Sequence, residues 1–352
     1  MKDKKVILSA QDVVVEFAVR DRILTAIRNI SLNLYEGEVL AIVGESGSGK
    51  SVLTKTFTGM LESNGRVASG SIIYRNQDLT HFTSNKEWES IRGGKIATIF
   101  QDPMTSLDPL QPIGYQITEV IRKHQAKSKA EAKELAIDYM KKVGIPQAEE
   151  RFNDYPFQYS GGMRQRIVIA IALACKPDIL ICDEPTTALD VTIQAQIIAL
   201  LKALQKEYQF TTIFITHDLG VVASIADKVA VMYAGDIIEY GTVEELFYDP
   251  KHPYTWSLLS SLPQLADEKG ELYSIPGTPP SLYKTIRGDA FAPRSQYAMR
   301  IDFEEEPPRF QVSETHWAKT WLLHPQAPAV DKPQVIQHLH EKISQKVNHR
   351  EE

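Results

Sequence analysis

A glycine-rich stretch directly after an apolar run constrains the fold of this chain more than any other feature. Residues 39–43 read V-L-A-I-V, and residues 44–51 read G-E-S-G-S-G-K-S. Apolar residues then recur at helical spacing, which predicts a helix after the loop; they are Leu53, Phe57, Met60 and Leu61. The order is therefore strand, loop, helix, and this is the context that a phosphate-binding loop requires.

In such a loop, successive backbone N–H groups point inward at a phosphate, and the positive end of the following helix adds to the attraction. The pattern predicts a bound nucleoside triphosphate, with Lys50 at its β- and γ-phosphates and Ser51 on Mg²⁺. A tight turn with an incidental lysine is the competing interpretation. The candidate nucleotide-binding residues of the loop are Gly44, Glu45, Ser46, Gly47, Ser48, Gly49, Lys50, Ser51 and Val52.

The composition is that of an ordinary globular protein. Of its 352 residues, 43% are hydrophobic and 24% are charged, and the net charge of −6 gives no reason to expect nucleic acid as a partner. The two cysteines, Cys175 and Cys182, lie in apolar segments without metal-ligand spacing, so we expect buried thiols. The longest apolar run, residues 167–175, is too short to span a bilayer.

Two adjacent acids follow a second apolar run. Residues 177–190 read P-D-I-L-I-C-D-E-P-T-T-A-L-D, and residues 179–182 predict a buried strand. This strand delivers Asp183 and Glu184 to its carboxyl end, where ligands collect in open α/β sheets. Because side chains alternate along a strand, Asp183 is predicted to orient Mg²⁺ and Glu184 to act as general base toward an attacking water. A plain acidic turn is the alternative for an isolated pair of acids.

A second candidate anion-binding helix start lies at residues 159–166, which read Y-S-G-G-M-R-Q-R. Ser160 is a good helix N-cap, and Gly161 and Gly162 let a ligand approach the backbone. Two phosphate-binding helix starts for one nucleotide pose a geometric problem. It is solved if this second helix serves the nucleotide of a neighbouring subunit.

In their order and spacing these motifs resemble the ATPase subunits of ABC transporters over about residues 6–250. The resemblance implies that Gln101 touches Mg²⁺ and the attacking water, that His217 contacts the γ-phosphate, and that Asp190 crosses a dimer interface. Phe17 falls where the family has an aromatic side chain that stacks on adenine, with a buried strand phenylalanine as the alternative. The implied activity is ATP hydrolysis, with ATP and Mg²⁺, by two cassettes that close head to tail.

The implied fold class is α/β, with a P-loop NTPase core, an N-terminal antiparallel β-subdomain, a helical insert and a proline-rich C-terminal appendage. The expected divisions are a nucleotide-binding domain at residues 1–250 with the insert at about 102–160, the appendage at 251–330, and a polar tail at 331–352. The tail has a short helix-like stretch at residues 335–347, and we expect little regular structure in the appendage because of its prolines.

The insert has its own helix signals. Residues 128–131 read S-K-A-E, a capping box; Leu135, Tyr139 and Val143 form one apolar face, and Gly144 ends the helix. In the family, this insert docks the membrane subunits of the transporter.

Residues 249–259, D-P-K-H-P-Y-T-W-S-L-L, and residues 273–282, Y-S-I-P-G-T-P-P-S-L, resemble the C-terminal region of oligopeptide and dipeptide importer ATPases, a subfamily that includes nickel importers. The resemblance implies oligopeptide import, with dipeptides or nickel as alternatives, at the cytoplasmic face of the plasma membrane. The implied partners are a second, different ABC ATPase, two transmembrane permeases and an extracellular peptide-binding protein. A soluble ABC ATPase acting on ribosomes or DNA is the less favoured alternative.

Many members of this subfamily hold an iron–sulfur cluster on four cysteines of the C-terminal region. In an alignment on F-A-P-R at residues 291–294 and W-L-L-H-P at residues 321–325, the cysteine positions fall on Asp289, Ser295, Asp302 and Thr320. None of these side chains offers a thiolate, so we expect no cluster.

Overall fold

A computed structural model of the chain describes residues 5–187, 189–262 and 274–337. Its strands are β1 (Val6–Val19), β2 (Arg22–Tyr35), β3 (Val39–Val43), β4 (Gly65–Tyr74), β5 (Gln77–Asp78), β6 (Ile96–Ile99), β7 (Ile179–Asp183), β8 (Thr211–Thr216), β9 (Lys228–Tyr233), β10 (Asp236–Thr242), β11 (Phe310–Gln311) and β12 (Trp317–Ala318). Its helices are α1 (Lys50–Thr56), α2 (Asn85–Ile91), α3 (Pro103–Ser106), α4 (Ile113–Gln125), α5 (Lys129–Lys142), α6 (Ala148–Arg151), α7 (Gly161–Ala174), α8 (Val191–Tyr208), α9 (Leu219–Ile225), α10 (Val243–Tyr248), α11 (Pro253–Ser260) and α12 (Gln334–Gln337).

The larger sheet has the strand order β11-β12-β10-β9-β3-β8-β7-β6. Strands β9, β3, β8, β7 and β6 run parallel, whereas β10, β12 and β11 are antiparallel additions at one edge. Every residue of β3 is buried, as expected for the interior strand of a parallel sheet. Val43 lies opposite Thr216, and Asp183 lies opposite Ile215. The loops that follow β3, β7 and β8 therefore leave the sheet at the same edge.

The smaller sheet is antiparallel, with the order β2-β1-β4-β5. Its inner face shares a core with the larger sheet, because Val13, Val15 and Ile27 pack in one buried cluster with Leu40 and Ile42 of β3. Buried apolar area of this kind is the main stabilising contribution to folding. The α/β architecture with an N-terminal antiparallel β-subdomain, predicted from the sequence, is confirmed.

Helix α1 is shorter than the apolar spacing predicts. It ends at Thr56, so Met60, one of the apolar residues at helical spacing, lies beyond the helix and is 40% exposed. Gly59 has φ +59°, and a Cβ atom there would lie 2.2 Å from the ring of Trp88. The glycine therefore turns the chain under the indole, and this tertiary contact overrides the helical pattern.

The segment between β6 and α7 is mostly helical, as predicted, and contains helices α3 to α6. Helix α5 begins at a capping box, in which Ser128 Oγ accepts from the N–H of Glu131 and the Glu131 carboxylate accepts from the N–H of Ser128. Gly144, with φ +79°, follows the helix and provides the left-handed residue of its C-terminal end.

The buried face of α5 differs in part from the predicted one. Tyr139 and Val143 are buried as predicted, but Leu135 is only half-buried. Ala136 and Met140 are fully buried instead, because α4 and α7 pack against this side of the helix. The sequence pattern therefore identifies the helix and its ends but misplaces the centre of its apolar face.

The described part of the C-terminal region after α11 has little regular structure, as predicted, but it packs closely on the larger sheet. Strand β12 pairs with β10 of the larger sheet, with Trp317 opposite Tyr240 and their rings stacked at 6.0 Å. Phe291 packs on Tyr233 of β9 and Tyr254 of α11, with ring centroids 5.4 and 5.3 Å apart. This region is therefore built onto the core of the chain and completes both its sheet and its apolar packing.

Ile336 of α12 is buried, so the beginning of the predicted helix-like stretch at residues 335–347 packs on the body of the protein. The rest of that stretch lies outside the described residues. Cys182 is buried and Cys175 half-buried, both as free thiols, and burial raises the pKa of Cys175 to about 11. Within the described parts of the chain, no helix is both long and apolar enough to cross a membrane.

Candidate active site

A cavity of about 930 Å³ opens where β3, β7 and β8 end and β1 and β2 approach the larger sheet. One end is polar and is lined by loop residues that include Lys50 and Ser51. The other end is apolar and is lined by Phe17, Leu24 and Leu282. A volume and polarity of this kind suit a ligand with an apolar ring at one end and charged groups at the other.

The phosphate loop is the segment from residue 44 to residue 51, between β3 and the first turn of α1. Gly44 has φ +155°, and a Cβ atom there would lie 2.1 Å from the carbonyl oxygen of Met232 in the neighbouring strand. Gly49 has φ +101° and closely approaches the carbonyl oxygen of Ala26. Side chains at either position would force the loop away from the sheet, which explains the glycines by packing as well as by dihedral angle.

Lys50 is folded back over this loop. Its Nζ donates hydrogen bonds to the carbonyl oxygens of Gly44 at 2.8 Å and Glu45 at 2.9 Å. Burial lowers the pKa of Lys50, and the nearby carboxylates of Glu184 and Asp183 oppose this shift. The ammonium group is thus held at the polar end of the cavity by carbonyl groups that an anionic ligand could replace or supplement.

Ser51 and Asp183 are joined across the edge of the sheet. Ser51 Oγ donates a hydrogen bond to Asp183 Oδ1 at 3.0 Å. Burial raises the pKa of Asp183, and the hydrogen bond from Ser51 partly offsets that effect. A hydroxyl and a carboxylate oxygen side by side are donors of the type that Mg²⁺ prefers, so these residues fit the metal site that the sequence predicts.

Glu184 contacts side chains from two other segments and one from its own loop. Its Oε2 accepts hydrogen bonds from Gln101 Nε2 at 3.2 Å and Thr187 Oγ1 at 2.9 Å, while its Oε1 lies 3.4 Å from Nδ1 of His217. Gln101 follows β6 and His217 follows β8, so the common sheet edge brings these residues to one carboxylate. The structure thus gathers the three side chains predicted for catalysis.

The two acids diverge for a different reason from the one predicted. Asp183 is the last residue of β7, but Glu184 lies beyond the strand and has φ +47°. Its N–H still donates to the carbonyl oxygen of Ile215 at 3.0 Å, which anchors this conformation. The carboxylates therefore separate at a left-handed residue after the strand, and not through the predicted alternation of side chains within the strand.

Phe17 is a buried strand residue that also faces the cavity. It is a buried residue of β1, 8% exposed, and its ring packs so closely on Gly65 that a Cβ atom there would lie 2.6 Å from Cε1. The same ring also lines the apolar end of the cavity. Its contact with adenine stays a prediction.

The second helix start lies apart from this cavity. Ser160 caps α7 by accepting from the N–H of Met163 at 3.3 Å, as predicted, and Gly161 and Gly162 form its first turn. Asp190 caps α8 by accepting from the N–H of Ile193 at 3.0 Å. None of Ser160, Gly161, Gly162 and Asp190 lines the cavity that holds the phosphate loop. Their predicted role toward a second subunit stays a prediction.

Sequence reasoning missed the contribution of the C-terminal region to this site. Leu282 lines the cavity, and Arg294 forms two short contacts with the carboxylate of Glu45 in the phosphate loop, at 2.7 and 3.0 Å. Tyr254 Oη accepts from the N–H of Glu45 at 2.7 Å. The one available signal was Glu45 itself, because a carboxylate inside an anion-binding loop needs a cation close by.

Comparison with known proteins agrees with this geometry. The family model described as ABC transporter matches residues 27–187, and the model described as oligopeptide/dipeptide transporter, C-terminal region, matches residues 238–301. The chain is 79% identical to the oligopeptide transport ATP-binding protein AmiE of Streptococcus pneumoniae, over 98% of each chain. It is 54% identical to the oligopeptide transport ATP-binding protein OppD of Bacillus subtilis, over 94% of this chain and 92% of the relative.

Among solved structures, the chain is similar to a dimeric ATP-binding cassette in a post-hydrolysis state bound to ADP and phosphate, with 29% identity and a TM-score of 0.60 over 67% of this chain and 98% of the other. It is also similar to CbiO1 of Clostridium perfringens, part of the transporter complex CbiONQ, with 30% identity and a TM-score of 0.60 over 70% of this chain and 92% of the other. The chain therefore belongs to the ABC transporter family, as an ATP-binding subunit of the oligopeptide/dipeptide type.

Proposed function

We propose that this protein hydrolyses ATP to drive the import of oligopeptides through an ABC transporter. The observation that carries the proposal is that residues of the phosphate loop line a single cavity together with Glu184, Gln101 and His217. Asp183 is hydrogen-bonded to Ser51 beside them. The similarity to oligopeptide transport ATP-binding proteins extends over nearly the whole chain, including the C-terminal region. Together these support both the chemistry and the class of cargo.

In the proposed reaction, the backbone amides of the phosphate loop and the ammonium group of Lys50 hold the phosphates of ATP. Glu184 is the general base that accepts a proton from the attacking water. The Gln101 amide and the His217 imidazole, both near its carboxylate, orient the water and stabilise charge at the γ-phosphate. Phosphoryl transfer depends mainly on positioning and charge stabilisation, and this set of groups supplies both.

Ser51, Asp183 and Gln101 would hold Mg²⁺, since each offers an oxygen donor. The observed pairing of Ser51 Oγ with Asp183 Oδ1 supports the first two of these ligands. The ion would neutralise charge on the phosphates when bound. Asp183 contributes its charge to the site, whereas Glu184 contributes its basicity.

A second ATP-binding subunit, which we propose to be a different chain, would complete the site. Ser160, Gly161 and Gly162 at the start of α7 are exposed or half-buried and do not line this chain's own cavity, which suits contact with the nucleotide of the partner subunit. Asp190 would cross the same interface. ATP would then stabilise the closed dimer, and hydrolysis would release it.

The helical insert carries the surface that we propose to dock two transmembrane permeases. Several large apolar side chains are exposed on it; they are Met104, Leu110, Tyr115, Tyr155 and Phe157. Leu110 is 83% exposed and Phe157 is 70% exposed, and exposed apolar groups in proximity are typical of protein interfaces. Gln101 directly precedes this segment and donates a hydrogen bond to Glu184, so a movement of the insert would change the position of Gln101 relative to Glu184.

We further propose that residues 1–250, with the insert at about 102–160, form the nucleotide-binding domain, that residues 251–330 form its C-terminal addition, and that residues 331–352 form a tail. The protein would work at the cytoplasmic face of the plasma membrane, with an extracellular peptide-binding protein delivering the cargo. Dipeptides and nickel are alternative cargoes for the same machine. A soluble ABC ATPase acting on ribosomes or DNA is a distinct alternative.

Complementation of a strain that lacks this protein separates these possibilities. Uptake of a radiolabelled pentapeptide should return with the wild-type chain but not with Lys50→Ala, because the variant loses the ammonium group of the phosphate loop. Uptake of a dipeptide and of nickel is measured in parallel. Return of nickel uptake alone would assign the metal as the cargo, and unchanged uptake of all three in the strain that lacks the protein would reject transport.

A further inference from the structure

The C-terminal region contacts the phosphate loop through an arginine that is distant in sequence. Arg294 Nη1 lies 2.7 Å from Glu45 Oε2, and Arg294 Nη2 lies 3.0 Å from Glu45 Oε1. The two residues are 249 positions apart. Parallel contacts between a guanidinium and a carboxylate fix both planes relative to each other and are stronger than single charged hydrogen bonds.

The guanidinium itself is held firmly. The Arg294 side chain is only 6% exposed, and its Nε donates to the carbonyl oxygen of Pro276 at 2.7 Å. Its Nη1 also lies 3.1 Å from Tyr233 Oη, and its plane lies near the rings of Tyr233 and Phe291. An arginine with this many partners has little rotamer freedom, so it transmits its position to Glu45.

Glu45 is fixed at three points. Its carboxylate meets Arg294, its N–H donates to Tyr254 Oη at 2.7 Å, and its carbonyl oxygen accepts from Lys50 Nζ at 2.9 Å. The first two partners, Arg294 and Tyr254, belong to the C-terminal region, and the third is the lysine of the phosphate loop. A shift of the Glu45 carboxylate would therefore shift the backbone that receives Lys50.

We infer that Arg294 is a positioning residue for phosphate binding, which acts by holding Glu45 and, through the Glu45 carbonyl, the conformation of the phosphate loop. The inference rests on the proposed function to the extent that the loop binds the phosphates of ATP. It assigns to the C-terminal region a direct part in nucleotide affinity. Preorganised donors bind an anion more tightly because the binding free energy is not spent on ordering them.

A second ion pair at the same junction provides a matched control. Lys319 Nζ lies 2.5 Å from Asp236 Oδ2 and ties the segment after β12 to β10. Its side chain is 11% exposed, similar to Arg294, but among the described residues no hydrogen bond or ion pair joins Lys319 or Asp236 to the phosphate loop. If ion pairs at this junction only attach the C-terminal region to the rest of the chain, loss of either pair should have the same effect on stability and on nucleotide affinity.

The test compares full-length wild-type protein, Arg294→Met, Arg294→Lys and Lys319→Met. Affinities for ADP and for adenosine are measured by competition with a fluorescent ADP analogue, and melting temperatures are measured without nucleotide. Arg294→Met should weaken ADP binding about tenfold and leave adenosine binding within about twofold, since truncation of one member of a desolvated pair is costly and only the phosphates meet the loop. Arg294→Lys keeps the charge but not the paired contacts, so its ADP affinity should lie between those of the wild-type protein and Arg294→Met.

Lys319→Met should lower the melting temperature without changing the ratio of ADP to adenosine affinities. Glu45→Gln should reproduce the effect of Arg294→Met, and the double variant should be no weaker than the weaker single variant. Equal loss of ADP and adenosine binding, or an equal effect of Lys319→Met, would overturn the inference in favour of a purely structural role. Unchanged ADP affinity in Arg294→Met would also overturn the inference. If Arg294→Met does not fold, unchanged ADP affinity in Arg294→Lys would do the same. Failure of the wild-type protein to bind ADP would instead reject the proposed function.

Discussion

A Cβ atom at Gly162 would lie 2.7 Å from Cγ2 of Ile193. The first turn of α7 and the first turn of α8 therefore meet with no room for a side chain on the former. Both turns begin at capping residues, Ser160 and Asp190, that we assign to the subunit interface. Their relative position is thus set by the close contact of a glycine backbone with an isoleucine.

Gly162→Ala should destabilise the protein by roughly 1–3 kcal/mol, the range typical of overpacking in a well-packed site. Ile193→Leu moves the branch away from Cβ, so the double variant should recover most of the loss. Gly161→Ala is the control, because no heavy atom of the described residues, apart from the neighbouring helix backbone, lies within 4 Å of a Cβ atom at that position. The free energy of unfolding in urea measures all four proteins. An equal effect of Gly161→Ala would contradict the assigned contact.

Glu184→Gln should retain ATP binding and slow ATP turnover by about a hundredfold or more, because an amide cannot accept the proton of the attacking water. The amide can still pair with Gln101 and Thr187, so the local structure should persist. The ATPase rate of the assembled transporter and the ATP affinity of the isolated chain are the two measurements. Near-normal hydrolysis would remove Glu184 from the role of general base.

Ser160→Arg should leave ATP binding by the isolated chain almost unchanged and abolish ATPase activity in the assembled transporter. The reason is that Ser160 does not line this chain's own cavity, whereas the start of its helix is exposed and thus open to the proposed partner subunit. In an assembly with a different partner ATPase, the damage should appear at the site whose phosphate loop belongs to the partner. Loss of ATP binding by the isolated chain would refute the arrangement.

Iron should be absent from protein that is purified without oxygen. Asp289 accepts from the N–H of Phe291 at 2.8 Å, and Asp302 accepts from the N–H of Met299 at 2.6 Å. Ser295 and Thr320 likewise accept from nearby backbone N–H groups. These side chains thus act as local structural caps, and none supplies a thiolate. Analysis of iron and acid-labile sulfide is the measurement, and about one cluster per chain would contradict the prediction.

The attachment of the C-terminal region should weaken in acid through Glu245. Burial acts to raise the pKa of Glu245, but hydrogen bonds from Ser313, Thr242 and Thr315 outweigh it and lower the pKa to about 2. Because the folded-state pKa is below the unfolded value, this group stabilises the fold above about pH 4.5, and the contribution is lost as the pH falls toward 2.

Glu245→Gln should therefore be less stable than wild type at pH 6, and the difference in the free energy of unfolding should shrink as the pH falls below about 4.5. Glu244→Gln, an exposed change in the same helix, is the control. Urea unfolding at pH 6, 4.5 and 3.5 provides the comparison. A difference that stays constant over this range would assign the loss to packing instead of to charge.

Local sequence patterns predicted much of the core of this fold. The apolar run of β3, the glycines of the phosphate loop, and the capping residues Ser128 and Ser160 each act on neighbours within a few positions, so spacing alone reveals them. The same is true of Asp183 and Glu184 after β7. The convergence of the loops also followed from sequence, because parallel strands deliver their carboxyl ends to one edge.

The remaining features depend on contacts between distant parts of the chain. Helix α1 ends early because Trp88 covers Gly59, and no pattern within the helix reports that indole. The Arg294–Glu45 pair joins residues 249 positions apart, and the prolines around Arg294 conceal how closely that segment packs. Long-range packing and ion pairing therefore account for the differences between the predicted and the observed structure.

The short strands that end the larger sheet have a consequence for the behaviour of the unassembled protein. Strand β12 is two residues long and pairs with the outer edge of β10 at Glu239 and Tyr240, and β11 extends the sheet beyond it. The residues of β10 from Asp236 to Gly241 are all buried. A shortened chain that stops after residue 250 would leave that edge with open N–H and C=O groups beside an apolar surface, which is a template for aggregation between molecules. The C-terminal region thus prevents this edge from pairing with strands of other molecules before the transporter assembles.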